Sequence, residues 1–173
     1  MSNWYMLTLV GADKPGITAA VTRALFENGM NLGEASMLRL GGNFTMMLMV
    51  SGAASVETVR QAVAAVAQQF GFRLHVDPID GRLHEHIEPN VHIRVSGADR
   101  AGIVAGVTGA LAQAGLNILD LSSDVAGSGD QPVYIMQIEG QADADIDTLR
   151  AAVADLAGEG VEITIQSMQT LLG

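Results

Sequence analysis

Residues 11–36 and 97–122 are two copies of one segment, GADKPGITAAVTRALFENGMNLGEAS and GADRAGIVAGVTGALAQAGLNILDLS. Aligned without a gap, 13 of the 26 positions are identical. A repeat of this kind means two like modules rather than one larger core. Of the 173 residues, each module takes about 85, a size that folds alone with modest stability. The matched positions are not only apolar. Asp13/Asp99, Gly16/Gly102, Gly29/Gly115 and Asn31/Asn117 are polar or shape the backbone. A duplicated polar loop points to a duplicated site as well as a duplicated fold.

Each half carries the same order of patterns. Residues 4–10 read as a strand, and residues 15–28 as a helix with Ile17, Val21, Ala24 and Leu25 on one face. Residues 31–40 and 44–50 read as two strands joined by the hairpin signal Gly41-Gly42-Asn43. Residues 55–70 form a second helix, with Val56, Val59, Val63, Val66 and Phe70 on its stripe. In 72–77, Phe72, Leu74 and Val76 alternate with Arg73, His75 and Asp77, as a strand with one wet face does. The second half repeats the scheme. Val91, Ile93 and Val95 mark a strand, and Ile103, Val107, Ala110 and Leu111 a helix. Strands over 116–125 and 133–139 follow, then a helix marked by Ile146, Leu149, Val153 and Leu156, and a strand marked by Val161, Ile163 and Ile165. Residues 78–89 hold two prolines and charges without periodicity. The expected boundaries are therefore a first domain at 1–80, a linker at 81–89 and a second domain at 90–173.

The order in each half is βαββαβ. The fold class is α+β, two ferredoxin-like modules, each a four-stranded antiparallel sheet with two helices on one face. The other face of the first sheet should carry Trp4 and Met6, with Met46, Met47 and Met49 nearby. The nearly continuous apolar run 44–50 predicts burial on both faces, the second against the other half or a second chain.

The duplicated loop, Gly11-Ala12-Asp13-Lys14-Pro15-Gly16-Ile17, leaves a strand and enters a helix. Asp13 is placed to accept from a free N–H of the first helical turn. Pro15 suits that turn, where its missing donor costs nothing. Gly16 permits close approach of a ligand or another backbone. The free N–H groups at a helix start suit a carboxylate or phosphate. Asn31, after the Gly29 helix stop, offers both donors and acceptors.

GADKPGI and GADRAGI resemble the first turn of the ACT domain, and GMNL and GLNI resemble its entry to the second strand. The resemblance covers both halves. The tandem arrangement without a catalytic domain is similar to that of the glycine cleavage system transcriptional repressor group. It implies a βαββαβ module that senses an amino acid, with the ligand held between two modules. The ligand residues it implies are Asp13, Lys14, Pro15, Gly16, Ile17 and Asn31, and in the second copy Asp99, Arg100, Gly102, Ile103 and Asn117. The second copy departs from the pattern at Ala101, where the first has Pro15.

A small amino acid, glycine or serine first, and a protein partner such as a transcription factor are therefore expected, in a homo-oligomer without a cofactor or metal. Alternatives are a regulatory subunit of a biosynthetic enzyme and a small enzyme. No nucleophile–base arrangement supports the last: Ser36 and Ser122 are matched, but no histidine is matched with them. His84, Glu85, His86, Glu88 and His92 match no zinc spacing.

Charge bears on the partners. The formal net charge is −10, and most of it falls in the second half: six basic and eight acidic residues precede Pro89, three and eleven follow. Lys14 is the one lysine, so direct nucleic-acid binding is not expected. There are no cysteines, which excludes disulfides and thiolate chemistry and fits a reducing, cytoplasmic location. No long apolar leader opens the chain, and no apolar run approaches the roughly 20 residues of a membrane helix.

Overall fold

The computed structural model describes residues 3–52, 55–80, 87–98, 102–126, 133–158 and 160–168. Residues 81–86 of the expected linker, His84, Glu85 and His86 among them, lie outside the described residues, as do Asp99, Arg100 and Ala101.

The chain divides into two compact units, Met1–His84 and Glu85–Gly173. The first contains β1 (Asn3–Ala12), α1 (Ile17–Glu27), β2 (Asn31–Leu40), β3 (Asn43–Gly52), α2 (Val56–Phe70) and β4 (Arg73–Ile79). The second contains β5 (Val91–Ala98), α3 (Ile103–Gln113), β6 (Leu116–Ala126), β7 (Val133–Ala142), α4 (Ile146–Val153) and β8 (Val161–Ser167). Strand order is β2-β3-β1-β4 in one sheet and β6-β7-β5-β8 in the other, every pair antiparallel. These are the two ferredoxin-like modules that the repeat predicts.

Alternation in each strand creates the two faces. Tyr5, Leu7 and Leu9 of β1 are buried with Phe44, Met46, Leu48 and Val50 of β3. Onto that face α1 brings Ile17, Val21 and Leu25, and α2 brings Val59 and Val63. In the second unit Val91, Ile93 and Val95 meet Met136 and Ile138, under Val107 and Leu111 of α3 and Leu149 and Val153 of α4. Residues spaced at i, i+4 and i+8 on α1 thus supply one continuous apolar stripe, which holds the helix to its sheet.

The opposite faces differ in kind. The first sheet presents Trp4, Met6, Met47 and Met49, with Leu38 and Leu40 from β2. Within its own unit the run 44–50 alternates: Met47 is 44% exposed while its neighbours Met46 and Leu48 are buried. A central antiparallel strand covered by helices on one side keeps period-two alternation even when both sets of side chains are apolar. The second sheet presents His92, Arg94 and Ser96, flanked by Gln137, Glu139, Asp120, Asp124 and Glu162.

One helix ends earlier than its pattern predicts. α4 stops at Val153 and tightens into a 3₁₀ turn, Ala154–Leu156, that leaves Leu156 38% exposed. The change from α to 3₁₀ winding rotates Leu156 off the stripe made by Leu149 and Val153.

Candidate functional site

The turn from β1 into α1 begins with a close approach. A Cβ on Gly11 would lie 2.7 Å from Cβ of Phe72, so β4 can start beside β1 only because residue 11 has no side chain. Gly97 stands in the same way against the Gly160 carbonyl oxygen. The chain then passes through Asp13, whose N–H donates to the Gly42 carbonyl at 3.0 Å and ties the turn to the tip of the β2–β3 hairpin.

Gly16 is the residue that opens α1, at φ +89°, and Gly102 opens α3 at φ +90°. Both backbones are left-handed, a conformation that side-chain-bearing residues avoid. No described side chain accepts a hydrogen bond at either helix start. Asp13 therefore does not cap α1 as its position before the helix predicts. Its carboxylate forms an ion pair with the Arg39 guanidinium of β2 instead. The left-handed Gly16 turns the chain between Asp13 and the helix, and the hairpin tip offers a charged partner closer to hand.

The first amide bonded within α1 is Ala20, which donates to the Gly16 carbonyl at 3.0 Å. The amides of Ile17, Thr18 and Ala19 precede it and have no partner along the helix. They border a cavity of about 470 Å³, lined by residues 13–19 together with Met37, Arg39 and Phe44. That volume lies in the range of small-molecule sites. The Asp13 side chain is 23% exposed and that of Arg39 is 69% exposed. An ion pair this open contributes about 0–1 kcal/mol, so separating its partners costs little.

Of the residues named from the sequence, Asp13, Lys14, Pro15, Gly16 and Ile17 all line this cavity. Their roles differ. Lys14 Nζ donates to the Phe70 carbonyl at 2.9 Å, where it satisfies the C-terminal end of α2. The Ile17 side chain is buried in the core, which leaves its backbone N–H for the cavity. Asn31 stands elsewhere. It opens β2 opposite Ser51, which pairs with Trp4, so about nine strand residues, or about 30 Å, separate it from Asp13. Asn117 is likewise opposite Gln141, at the end of its sheet away from Gly102. The asparagines are therefore not part of the turn site of their own module.

Arg39, Met37 and Phe44 were not singled out by the sequence reading. The signal was available in the hairpin at Gly41-Gly42: a β2–β3 hairpin whose second strand pairs with β1 returns its tip to the end of β1. Thr18 Oγ1 lies 3.9 Å from the Met37 sulfur, a further link between the helix start and β2.

The second unit starts its first helix on the same left-handed glycine, with different walls. The position of Arg39, opposite Phe44, is taken by Val125, opposite Tyr134. Beside it, the Asp124 carboxylate accepts from the Val125 N–H at 2.7 Å. A cavity of about 370 Å³ in this unit is lined by Ser96, Gly97, Val133, Gly160, Val161 and Glu162, with neither Gly102 nor Ile103 among them. No group of three or more metal-ligating side chains converges among the described residues. Among those residues, no helix is long and apolar enough to cross a membrane.

Comparison with known proteins bears on both units. Family models described as ACT domain match residues 5–77 and residues 91–158. The UPF0237 protein YjhC of Lactococcus lactis is 39% identical over 72 residues, covering 41% of this chain and 83% of that protein. The glycine cleavage system transcriptional repressor of Escherichia coli K12 is 23% identical over 122 residues, covering 70% of this chain and 64% of the repressor. The chain thus spans just under two thirds of that relative's length. Among solved structures, an unknown protein from Galdieria sulphuraria superposes with a TM-score of 0.78 at 23% identity, covering 98% of this chain and all of that one. A candidate glycine cleavage system transcriptional repressor superposes with a TM-score of 0.73 at 20% identity, covering 98% and 99% of the two chains. At these identities the superpositions speak for the fold. With each unit matched by its own model, and most of the chain covered between them, the chain belongs to the ACT-domain family, as a tandem of two modules related to the glycine cleavage system transcriptional repressor.

Proposed function

We propose that this chain is a non-enzymatic sensor of a small amino acid that regulates a protein partner. The observation that supports this most is the start of α1, where no described side chain caps the helix and a cavity of about 470 Å³ adjoins it. The amides of Ile17, Thr18 and Ala19, at the positive end of the helix, suit a carboxylate. The ligand's ammonium group then faces Asp13 or an amide oxygen.

Asn31 serves a different cavity from its own. An edge strand of a second module, running antiparallel to β2, carries the asparagine at its start towards the Arg39 end of β2. Strand β2 suits such pairing, because all ten of its residues are exposed and Leu32, Met37, Leu38 and Leu40 lie among them. The ligand then lies where two modules meet, and the chain is a homo-oligomer. Asp99, Arg100, Gly102, Ile103 and Asn117 are the matching set in the second copy.

Binding shifts the balance between module arrangements by its difference in affinity for them. The favoured arrangement alters contact with a protein such as a transcription factor, acting on glycine cleavage as the name of the Escherichia coli relative suggests. With a net charge of −10 and a single lysine, the chain exerts that effect in the cytoplasm without touching DNA. Calorimetry of the full chain against the common amino acids, glycine and serine first, tests this reading. Saturable heat at millimolar concentration or below is the expected result, and silence across the set at that concentration contradicts the sensor role.

A further inference from the structure

Resting on the sensor reading, we propose that Asp13 and Arg39 form a clamp for a zwitterion and that Arg39 gives the first module its selectivity for α-amino acids. The ion pair between them borders a cavity whose other polar groups are the amides at the start of α1, the Thr18 hydroxyl and Lys14, whose Nζ is engaged by the Phe70 carbonyl. An α-amino acid carries the same two charges in one small molecule. When it enters, its ammonium group takes the Asp13 carboxylate, and its carboxylate takes the Arg39 guanidinium together with the amides at the start of α1. One ion pair is exchanged for two, with no charge left unpaired. A planar guanidinium also holds a carboxylate through two parallel hydrogen bonds, which favours a free carboxylate over an amide or ester.

The two partners are unequal in mobility. Asp13 is fixed by its N–H bond to Gly42 and is the less exposed of the pair. Arg39 stands on the exposed edge strand β2 and is free to follow the ligand. Occupancy is thereby registered on the strand that the sensor reading assigns to module pairing. The second unit has Val125 in place of Arg39, with the Asp124 carboxylate beside it. A carboxylate ligand finds no guanidinium at that point of β6, so the clamp belongs to the first module.

The test is calorimetry of the full chain with glycine and serine, and then with the tightest-binding common amino acid, its carboxamide and its N-acetyl derivative. For the wild-type chain, both derivatives should bind about tenfold or more weakly than the amino acid, since each removes one charged hydrogen-bonded contact. Arg39→Gln should weaken the amino acid about tenfold and bring its affinity to within about threefold of the carboxamide's, while the N-acetyl derivative stays poor. Asp13→Asn should do the converse. Unchanged circular dichroism melting of both variants separates lost recognition from lost folding. Amino-acid binding that survives Arg39→Gln with full discrimination against the carboxamide overturns the clamp and leaves the sensor reading standing. Silence of the wild-type chain towards every amino acid overturns both.

Discussion

The two halves of this chain share a topology and a left-handed glycine at each first helix, yet they expose different chemistry. In the first, β2 carries Arg39 one residue before its end, and the open sheet face carries Trp4, Met6, Met47 and Met49. In the second, the equivalent position of β6 is Val125 and the open face carries Arg94, Glu139, Asp120 and Glu162. Most of the net charge of −10 lies in this second half. Duplication kept the buried pattern, where each methylene is felt, and let the outer surfaces diverge, where substitutions cost little. The retained Gly16 and Gly102 are therefore evidence about backbone geometry in both halves. Arg39 bears on the proposed ligand in one.

The likeness of the cores is the easiest part of this comparison to break. Leu48→Ala and Ile138→Ala remove matched buried side chains that face Leu7 and Ile93 across the central strand pairs. Each should cost about 3 kcal/mol in denaturant unfolding. A cost under about 1 kcal/mol in one half would mean that the two cores are not equivalent. At the sites, Asn31→Ala should weaken amino-acid binding about tenfold by calorimetry and Asn117→Ala less, because the clamp and Pro15 belong to the first copy. Equal losses, or a larger one at Asn117, would contradict that ranking. A smaller effect distinguishes α2 from α4. Ser55 Oγ accepts from the Thr58 N–H at 3.2 Å, and Ser55→Ala should cost about 1 kcal/mol at any pH.

The Asp145 carboxylate caps α4 by accepting from the Thr148 N–H at 2.7 Å, and that bond holds its pKa below the ordinary carboxylate range. A depressed carboxyl pKa stabilises the fold above the unfolded value and loses that contribution as pH falls through the folded one. The stability difference between wild type and Asp145→Asn should therefore be present at neutral pH and shrink in acid below about pH 4. A difference independent of pH would remove the charge from the account of this cap.

The architecture was legible because burial writes a period into each element. Tyr5, Leu7 and Leu9 alternate, and Ile17, Val21 and Leu25 recur on one helical face. The pattern misled where winding changed: Leu156 fits the α-helical stripe by number but sits in a 3₁₀ turn. The site was legible in part. Gly16 and its neighbours were identifiable because a strand-to-helix turn with two glycines has few geometries. Asp13 was read as a cap because local contacts are the ones a sequence displays, whereas its partner Arg39 lies across the hairpin. The resemblance names Asn31 beside the turn residues, and strand register sets it at the opposite end of its own sheet.

The central claim is that a small amino acid binds at the open start of α1. Amide chemical shifts followed by nuclear magnetic resonance during titration with glycine and serine test it most directly. The account predicts saturable shifts at Gly16, Ile17, Thr18 and Ala19, with smaller changes at Gly102, Ile103 and Val104. Binding that leaves the amides of residues 16–19 unmoved would contradict it.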